Sequence, residues 1–341
     1  MKFVVAGYGS RGDVEPFAAV ARELRRRGHD VCLAVPPSMI GFVKSAGLAA
    51  VPFGSDTPST MDPNDVVRRV MQMWAEWAEA YKTLAVEADL LLTGKGEQGL
   101  AANVAEYYGI PLATLHFYPG DYATLGGVIG GLAKQTEGAQ RRELGLPDGT
   151  APAHETLEIQ AYDELCFPGP AAEWAQQGRR RPFVGALTLE LPTYADAEVL
   201  SWIAGGTPPI YFGFGGGVSL PSPVETVAVI TAACAQLGER ALIAVGPQDM
   251  SQIPVANNVK VVGPVNHAAI FPACRAVVHH GGAGTTAAGM RAGTPTLILW
   301  IAVDDQPVWA AAVTRLGVGA GREFWSTTLD LLVADLRSIL T

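Results

Sequence analysis

Two stretches of this chain hold residues whose types and spacing suit chemistry, and they suit opposite charges. The longer is Val277-Val278-His279-His280-Gly281-Gly282-Ala283-Gly284-Thr285-Thr286. An apolar run from Ala276 to Val278 reads as a buried strand, and Ala287 to Ala292 reads as a helix, so the glycines occupy a strand-to-helix corner. Such a corner binds anions. The free amides of the first helical turn point at the ligand, and the helix dipole adds roughly half a positive charge. Gly281, Gly282 and Gly284 let a phosphate approach the backbone closely. Thr285 and Thr286 offer hydroxyls, His279 and His280 add imidazoles, and no acidic residue lies in the corner to repel phosphate. A tight packing turn between strand and helix would use the same small residues.

The second stretch is Gly7-Tyr8-Gly9-Ser10-Arg11-Gly12-Asp13. It follows a strand read at Lys2 to Ala6 and precedes a helix read at Val14 to Arg27, with Pro16 in the first turn and Gly28 at the C-terminal cap. Asp30 to Val35 reads as the next strand, which makes a βαβ opening and predicts a parallel sheet. The glycines match the G-x-G-x-x-G dinucleotide fingerprint, but the rest of that motif is wrong. Its ribose-binding acid belongs at the far end of the second strand, where this chain has Pro36 and Pro37. Asp13 and Glu15 would also face the pyrophosphate and repel it. A carboxylate at that place can instead receive a proton from a hydroxyl, or simply cap the turn.

The elements that must position these stretches are those of two α/β domains. The remaining pattern of the first half reads as helices at Met39 to Ala46, Val66 to Glu87 and Leu100 to Tyr108, and strands at Ala49 to Pro52, Leu90 to Thr93 and Pro111 to Leu115. Gly54 to Pro63 reads as a loop. Val70, Met73, Trp74, Trp77 and Tyr81 fall at helical spacing and read as core packing in preference to a ligand platform. From His116 to Pro152 the periodicity degrades among Gly126, Gly127, Gly130 and Gly131, which predicts a functional loop or lid. His116 itself ends a strand and fits either a substrate contact or a satisfied core histidine. Arg179-Arg180-Arg181 reads as a solvated face.

The domain expectation is residues 1–182, a linker at 183–194, and a second domain at 195–341. In the latter, helices read at Ala195 to Ala204, Pro223 to Leu237, Gln306 to Leu316 and Leu329 to Leu340. Strands read at Ile210 to Phe214, Ala241 to Val245, Val259 to Val262 and Thr296 to Trp300. Three strand ends, at Gly213 to Gly217, His279 to Thr286 and Val303 to Gln306, then meet at one sheet edge, where ligands of such folds bind. Asp305 and Gln306 suit vicinal hydroxyls, or serve as a helix cap.

Composition narrows the classes. The 341 residues carry a formal charge of −9, which argues against non-specific nucleic-acid binding. Cys32, Cys166, Cys234 and Cys274 are far apart, form no CxxC pair and fit a reducing cytoplasm. No apolar run is long enough to span a bilayer, which leaves a peripheral membrane contact open. The chain has no G-x-x-x-x-G-K-[ST], no H-E-x-x-H, no G-x-S-x-G and no D-x-D. Asp304 and Asp305 are adjacent and point apart on an extended strand, so no metal site is expected, and phosphate charge falls to His280, amides and the helix dipole.

With Gly9-Ser10-Arg11-Gly12-Asp13-Val14-Glu15-Pro16, the corner at 279–286 and Asp305-Gln306-Pro307 in view, the chain resembles the GT-B glycosyltransferases of family 1. It is most similar to bacterial antibiotic and glycolipid transferases and the sterol glucosyltransferase-like group. The resemblance covers nearly the whole chain. It implies two Rossmann-like, doubly wound domains facing a central cleft. It also implies inverting transfer of a hexose or deoxyhexose from a UDP- or dTDP-sugar to a hydroxyl of a lipophilic acceptor such as a glycopeptide, lipopeptide, sterol or polyketide. The nucleotide sugar is then a cosubstrate, with no cofactor besides. By the same resemblance Asp13 is the base with Ser10 nearby, and Gly12 and His116 lie on the acceptor side. His280, Gly282, Ala283, Gly284, Thr285, Gly215 and Gly216 hold the donor diphosphate, Asp305 and Gln306 its sugar, and Val265 and His267 its base. Two departures stand out. Gly216 and Gly217 replace a serine usual after the strand ending near Phe214, and the loops near Ser55 to Asp62 and His116 to Pro152 look trimmed. A nucleotide-sugar epimerase and a non-catalytic transferase partner share this architecture and are the competing expectations.

Overall fold

Strands buried on both faces need near-continuous apolar sequence, and the parallel sheets of this protein are built from such runs. The computed structural model describes residues 1–56, 66–120, 126–149, 156–176, 181–215, 222–245, 256–301 and 305–341. In the first half, Lys2–Ala6 (β1), Asp30–Val35 (β2), Val51–Pro52 (β3), Leu90–Gly94 (β4), Leu112–His116 (β5) and Leu157–Gln160 (β6) form one six-stranded sheet in the order β3-β2-β1-β4-β5-β6. Every pairing in it is parallel. The helices are Arg11–Arg26 (α1), Ile40–Ser45 (α2), Val66–Leu84 (α3), Gln98–Tyr108 (α4), Gly126–Glu143 (α5) and Pro168–Gln176 (α6).

The second half repeats the plan. Its helices are Asp196–Ala204 (α7), Pro223–Leu237 (α8), His267–Ile270 (α9), Ala283–Ala292 (α10), Asp305–Arg315 (α11) and Leu329–Leu340 (α12). Ile210–Gly213 (β7), Ala241–Ala244 (β8), Val259–Val262 (β9), Ala276–His279 (β10), Thr296–Trp300 (β11) and Gly319–Glu323 (β12) pair in parallel in the order β12-β11-β10-β7-β8-β9. Read from the other edge, this is the same topology as the first sheet. The strand order reverses between β1 and β4 in one sheet and between β7 and β10 in the other.

The chain divides into Met1–Leu189 and Glu190–Thr341. The cut is sharp because each side is tied to its own unit. Phe183 bridges to Gln160 at the end of β6, and Glu15 of α1 accepts from the Thr188 hydroxyl (2.8 Å) and the Leu189 amide (2.9 Å). One residue on, the Glu190 carbonyl accepts from Asn266 Nδ2 (3.1 Å), and Asp196 takes the amides of Thr193 and Asn266. Glu190 itself adopts a left-handed backbone (φ 52°).

The aromatics of α3 are core, as their spacing predicts. Trp74, Trp77 and Tyr81 are buried with Phe53, and Trp77 stacks on Phe53. Truncating such a residue to alanine costs about 3–5 kcal/mol.

Four expectations need correction. The segment read as a lid after His116 contains the helix α5. Its glycines hide the period, and tertiary contacts supply the stability: Leu132 and Ala133 pack on the core, and Arg141 pairs with Glu106 and Asn103 of α4. Arg181 is not a solvated cation. It ion-pairs with the buried Glu158 and lies over the Trp174 ring, while Arg179 and Arg180 fall outside the described residues. Helices α1 and α10 begin earlier than their apolar pattern, at Arg11 and Ala283, which puts the polar motifs inside the first helical turn. Strands β6 and β12 add an edge to each sheet that the sequence pattern did not suggest.

Candidate active site

In the first unit the chain leaves β1 through Gly7-Tyr8-Gly9 and enters α1 with Ser10 as N-cap. Gly9 has φ 129°, open to glycine but not to other residues, and a Cβ there would run into the Asp13 carboxylate. Asp13 is the third helical residue. Its Oδ2 accepts from the Ser10 amide (2.7 Å) and the Ser10 hydroxyl (2.9 Å), the reach-back half of a capping box. Both Ser10 donors converge on one oxygen, Oδ2. Burial of the carboxyl raises its pKa above the ordinary aspartate value. The Ser10 hydroxyl and amide, and Asp13's own amide, pull part of the way back. Part of the residue still faces solvent.

Glu15, the other acid of this turn, does structural work. Burial alone would raise it, but the Leu189 amide, the Thr188 hydroxyl and Arg11 outweigh that and hold it below the usual range. Gly12 is exposed beside Ser10. His116 is buried at the end of β5, where its Nε2 meets the Thr114 hydroxyl at 3.0 Å.

Glu97 carries a signal that sequence reading missed. It is the N-cap residue of α4, just after β4, and only 5% exposed. Its significance depends on β4 lying beside β1, a long-range pairing invisible in local pattern.

In the second unit β10 ends at His279. The next residues turn through Gly281 (φ 98°) into α10, whose N-cap is Gly282. The first bond of the helix runs from the Thr286 amide to the Gly282 carbonyl (3.0 Å). The amides of Ala283, Gly284 and Thr285 therefore stand outside the helical ladder and form the anion-facing turn. His280 fits between two glycines. A Cβ at Gly215 would come within 2.9 Å of its Cε1, and one at Gly282 within 2.7 Å of its Nε2. Burial pushes this imidazole below the ordinary histidine range, and the nearby Gly213 carbonyl offsets part of the shift. Its Nδ1 is buried without a hydrogen bond of normal geometry. The ring is thus a neutral donor in an otherwise acid-free corner.

The pair of imidazoles expected beside the anion reduces to one. His279 is fully buried, and its Nδ1 accepts from the Gly281 amide (3.0 Å). That fixes the tautomer with the proton on Nε2. Burial, then the neighbouring His280 and His267, hold it well below the usual range, so it stays uncharged and shapes the turn. Thr286 is likewise turned inward, its hydroxyl bonded to the Gly282 carbonyl at 3.0 Å. Thr285 remains half-buried at the turn.

The Asp305–Gln306 segment meets the corner. A Cβ on Gly281 would lie 3.1 Å from Gln306 Cβ, so the two motifs touch. Gln306 is buried and its Oε1 accepts from the Ile301 amide (2.8 Å), which ties α11 to the end of β11. Asp305 opens α11 and is half-buried. Val265 and His267 present their side chains inward. Val265 is core, and the His267 ring stacks on Phe271 (4.4 Å) and meets the Tyr211 hydroxyl (3.2 Å). Any reading of a nucleotide base here falls to the main chain. Gly216 lies outside the described residues. Among the described residues no group of His, Cys, Asp and Glu is arranged to hold a metal ion.

Residues 3–111 match the Glycosyltransferase family 28 N-terminal domain, and residues 241–340 match the Erythromycin biosynthesis protein CIII-like C-terminal domain. An uncharacterised glycosyltransferase of Mycobacterium leprae (strain TN) is 57% identical, over all of this chain and 89% of its own length. Among solved structures, spinosyn rhamnosyltransferase complexed with spinosyn aglycone superposes with a TM-score of 0.76 at 18% identity, over 100% of this chain and 92% of that one. The glycosyltransferase VinC in complex with dTDP gives 0.66 at 20% identity, over 100% and 91%. The chain belongs to the glycosyltransferases, and it is an enzyme of that class with the GT-B fold.

Proposed function

We propose that this glycosyltransferase moves a hexose or deoxyhexose, with inversion and without a metal ion, from a UDP- or dTDP-sugar to a hydroxyl of a lipophilic small molecule. The observation that carries the reading is the contrast at the two switch points. One holds the Asp13 carboxylate, bonded to Ser10 through Oδ2, and the other holds helix amides outside the helical ladder beside the buried His280. An acceptor O–H bond breaks and its proton goes to Asp13 Oδ1. The acceptor oxygen bonds to the anomeric carbon. The bond from that carbon to the diphosphate breaks, and its electron pair leaves with the diphosphate. The amides of Ala283, Gly284 and Thr285 and the His280 ring are donors already in place for that charge. Asp305 and Gln306 take the hydroxyls of the donor sugar. The dTDP and aglycone bound by structural relatives support the choice of donor and acceptor classes. No helix among the described residues is long and apolar enough to cross a membrane.

The test is product analysis. UDP-glucose, dTDP-glucose and dTDP-rhamnose are incubated with glycopeptide, sterol and polyketide aglycones in the presence of EDTA, and products are resolved by mass spectrometry and NMR. A glycoside of inverted anomeric configuration is expected. A converted nucleotide sugar with no glycoside would mean an epimerase, and loss of transfer in EDTA would mean a required metal.

A further inference from the structure

Strands β1 and β4 are parallel neighbours, with Phe3, Val4 and Val5 in register with Leu90, Leu91 and Leu92. Their carboxyl ends lie at one edge; β4 ends on Gly94, the turn after β1 contains Gly9, and a carboxyl group packs over each glycine. A Cβ on Gly9 would run into Asp13 Oδ2, and one on Gly94 would come within 2.5 Å of Glu97 Oε2. The same point on Gly94 is 3.6 Å from Cζ of Phe17, the buried residue one helical turn beyond Asp13. Phe17 of α1 and the Glu97 carboxyl therefore pack over the same point at the end of β4, and Asp13 precedes Phe17 by one helical turn.

We propose that Glu97 is a positioning residue for Asp13: the two buried carboxyl groups hold one negative charge between them, so the charge on Glu97 sets how strongly Asp13 takes a proton. The proposal rests on the reading of Asp13 as the base. Two carboxyls in one dry cluster cannot ionise independently, and their titration steps belong to the pair. Asp13 has the Ser10 hydroxyl and amide to stabilise its charge, so it ionises first. Glu97 follows only near pH 8. Burial raises it most, its own amide opposes, the Asp13 charge raises it further, and the Gly94 amide opposes again.

The other ionisable groups around Glu97 do not replace Asp13 in this role. Tyr81 of α3 is bonded to the Thr93 hydroxyl, and burial, then Glu97, keep it protonated far above neutral pH. The Lys95 ammonium lies over the Tyr118 ring at 5.1 Å. Glu137 of α5 sits beside Gly99, and His116 of β5 is bonded to Thr114. With Glu97 neutral, Asp13 is a base of moderate strength. Once Glu97 ionises, repulsion makes the protonated form of Asp13 more favourable, and transfer gains an additional limb on the alkaline side.

The direct test needs no substrate. The full chain is labelled with 13C at Asp and Glu carboxyls and titrated by NMR. Glu97 is expected to titrate near pH 8. In Asp13→Asn its midpoint should fall by about one unit or more. In the wild type, the Asp13 carbon should show a small second step at the Glu97 midpoint, and Glu97→Gln should remove it. This covers the case in which the Asp13 variant does not fold. A Glu97 midpoint unmoved in Asp13→Asn, or an Asp13 second step that persists in Glu97→Gln, overturns the proposal. The kcat–pH profile should lose its step near pH 8 in Glu97→Gln, which loss of a merely structural contact would not do. Coupled titration together with normal transfer by Asp13→Asn would instead overturn the reading of Asp13 as base, and the two failures are thereby told apart.

Discussion

The two units of this enzyme use one topology for opposite electrostatic purposes. Both sheets have the same strand order, and both place the residues of the proposed site where that order reverses. In the first unit the helix after the switch-point strand β4 is capped by Glu97, and the helix after β1 carries Asp13 in its first turn. In the second, the equivalent strand β10 feeds a helix capped by Gly282, and the turn after β7 contributes Gly215. Helix N-termini favour negative charge in both. The first unit supplies that charge from its own side chains, the carboxylate we propose as proton acceptor. The second has no acidic side chain in the first turn of α10, whose amides we propose as the site of the ligand's anion. Fold alone sets where chemistry can occur, and the caps decide its sign.

The comparison can be broken most forcefully at Asp13. Asp13→Asn should lower kcat by about 10²–10⁴-fold, the usual worth of a positioned general base, with dTDP or UDP affinity retained. Normal turnover would remove the base from the first unit. Next in size is His280→Ala, expected to weaken nucleotide diphosphate binding by about 10–100-fold, the loss of one hydrogen bond to a charged group. Gly282→Ala should reproduce much of this without deleting the ring, because its Cβ would displace His280 Nε2. Gly215→Ala adds backbone strain at φ 80°, worth about 1–3 kcal/mol, and should lower the melting temperature as well.

A third prediction concerns pH and stability. Glu97 has a folded-state pKa raised from 4.5 to about 8, so the protein is penalised as it must ionise. The stability tied to its neutral form is complete below the unfolded value and lost as pH rises through about 8. Glu97→Gln should therefore melt higher than wild type at pH 9, with the advantage shrinking toward pH 5. An equal offset at both pH values would contradict the raised pKa. The smallest expected effect is at Glu15. Glu15→Gln should cost about 1–3 kcal/mol and increase proteolysis near Leu189, because it weakens the bonds that tie Thr188 and Leu189 to α1.

Much of this contrast is legible in the sequence because glycines and caps encode it locally. The corner at 281–284 and the opening at 9–13 announce themselves by residue type, and both fall where expected. Other features depend on what the chain meets at a distance. His279 and His280 look equivalent in sequence, yet neighbouring residues at a strand end face opposite sides, and only His280 lies between Gly215 and Gly282. Helix α5 is concealed by glycines and held by Arg141 reaching Asn103 and Glu106. Glu97 matters only because β4 pairs with β1.

The most direct test of the division between the units is calorimetric titration with dTDP and UDP, without metal, of three proteins side by side: wild type, Asp13→Asn and His280→Ala. Binding that survives in Asp13→Asn and fails in His280→Ala is the predicted result. Binding that survives in His280→Ala, or that fails in Asp13→Asn while that variant keeps its fold, would contradict it.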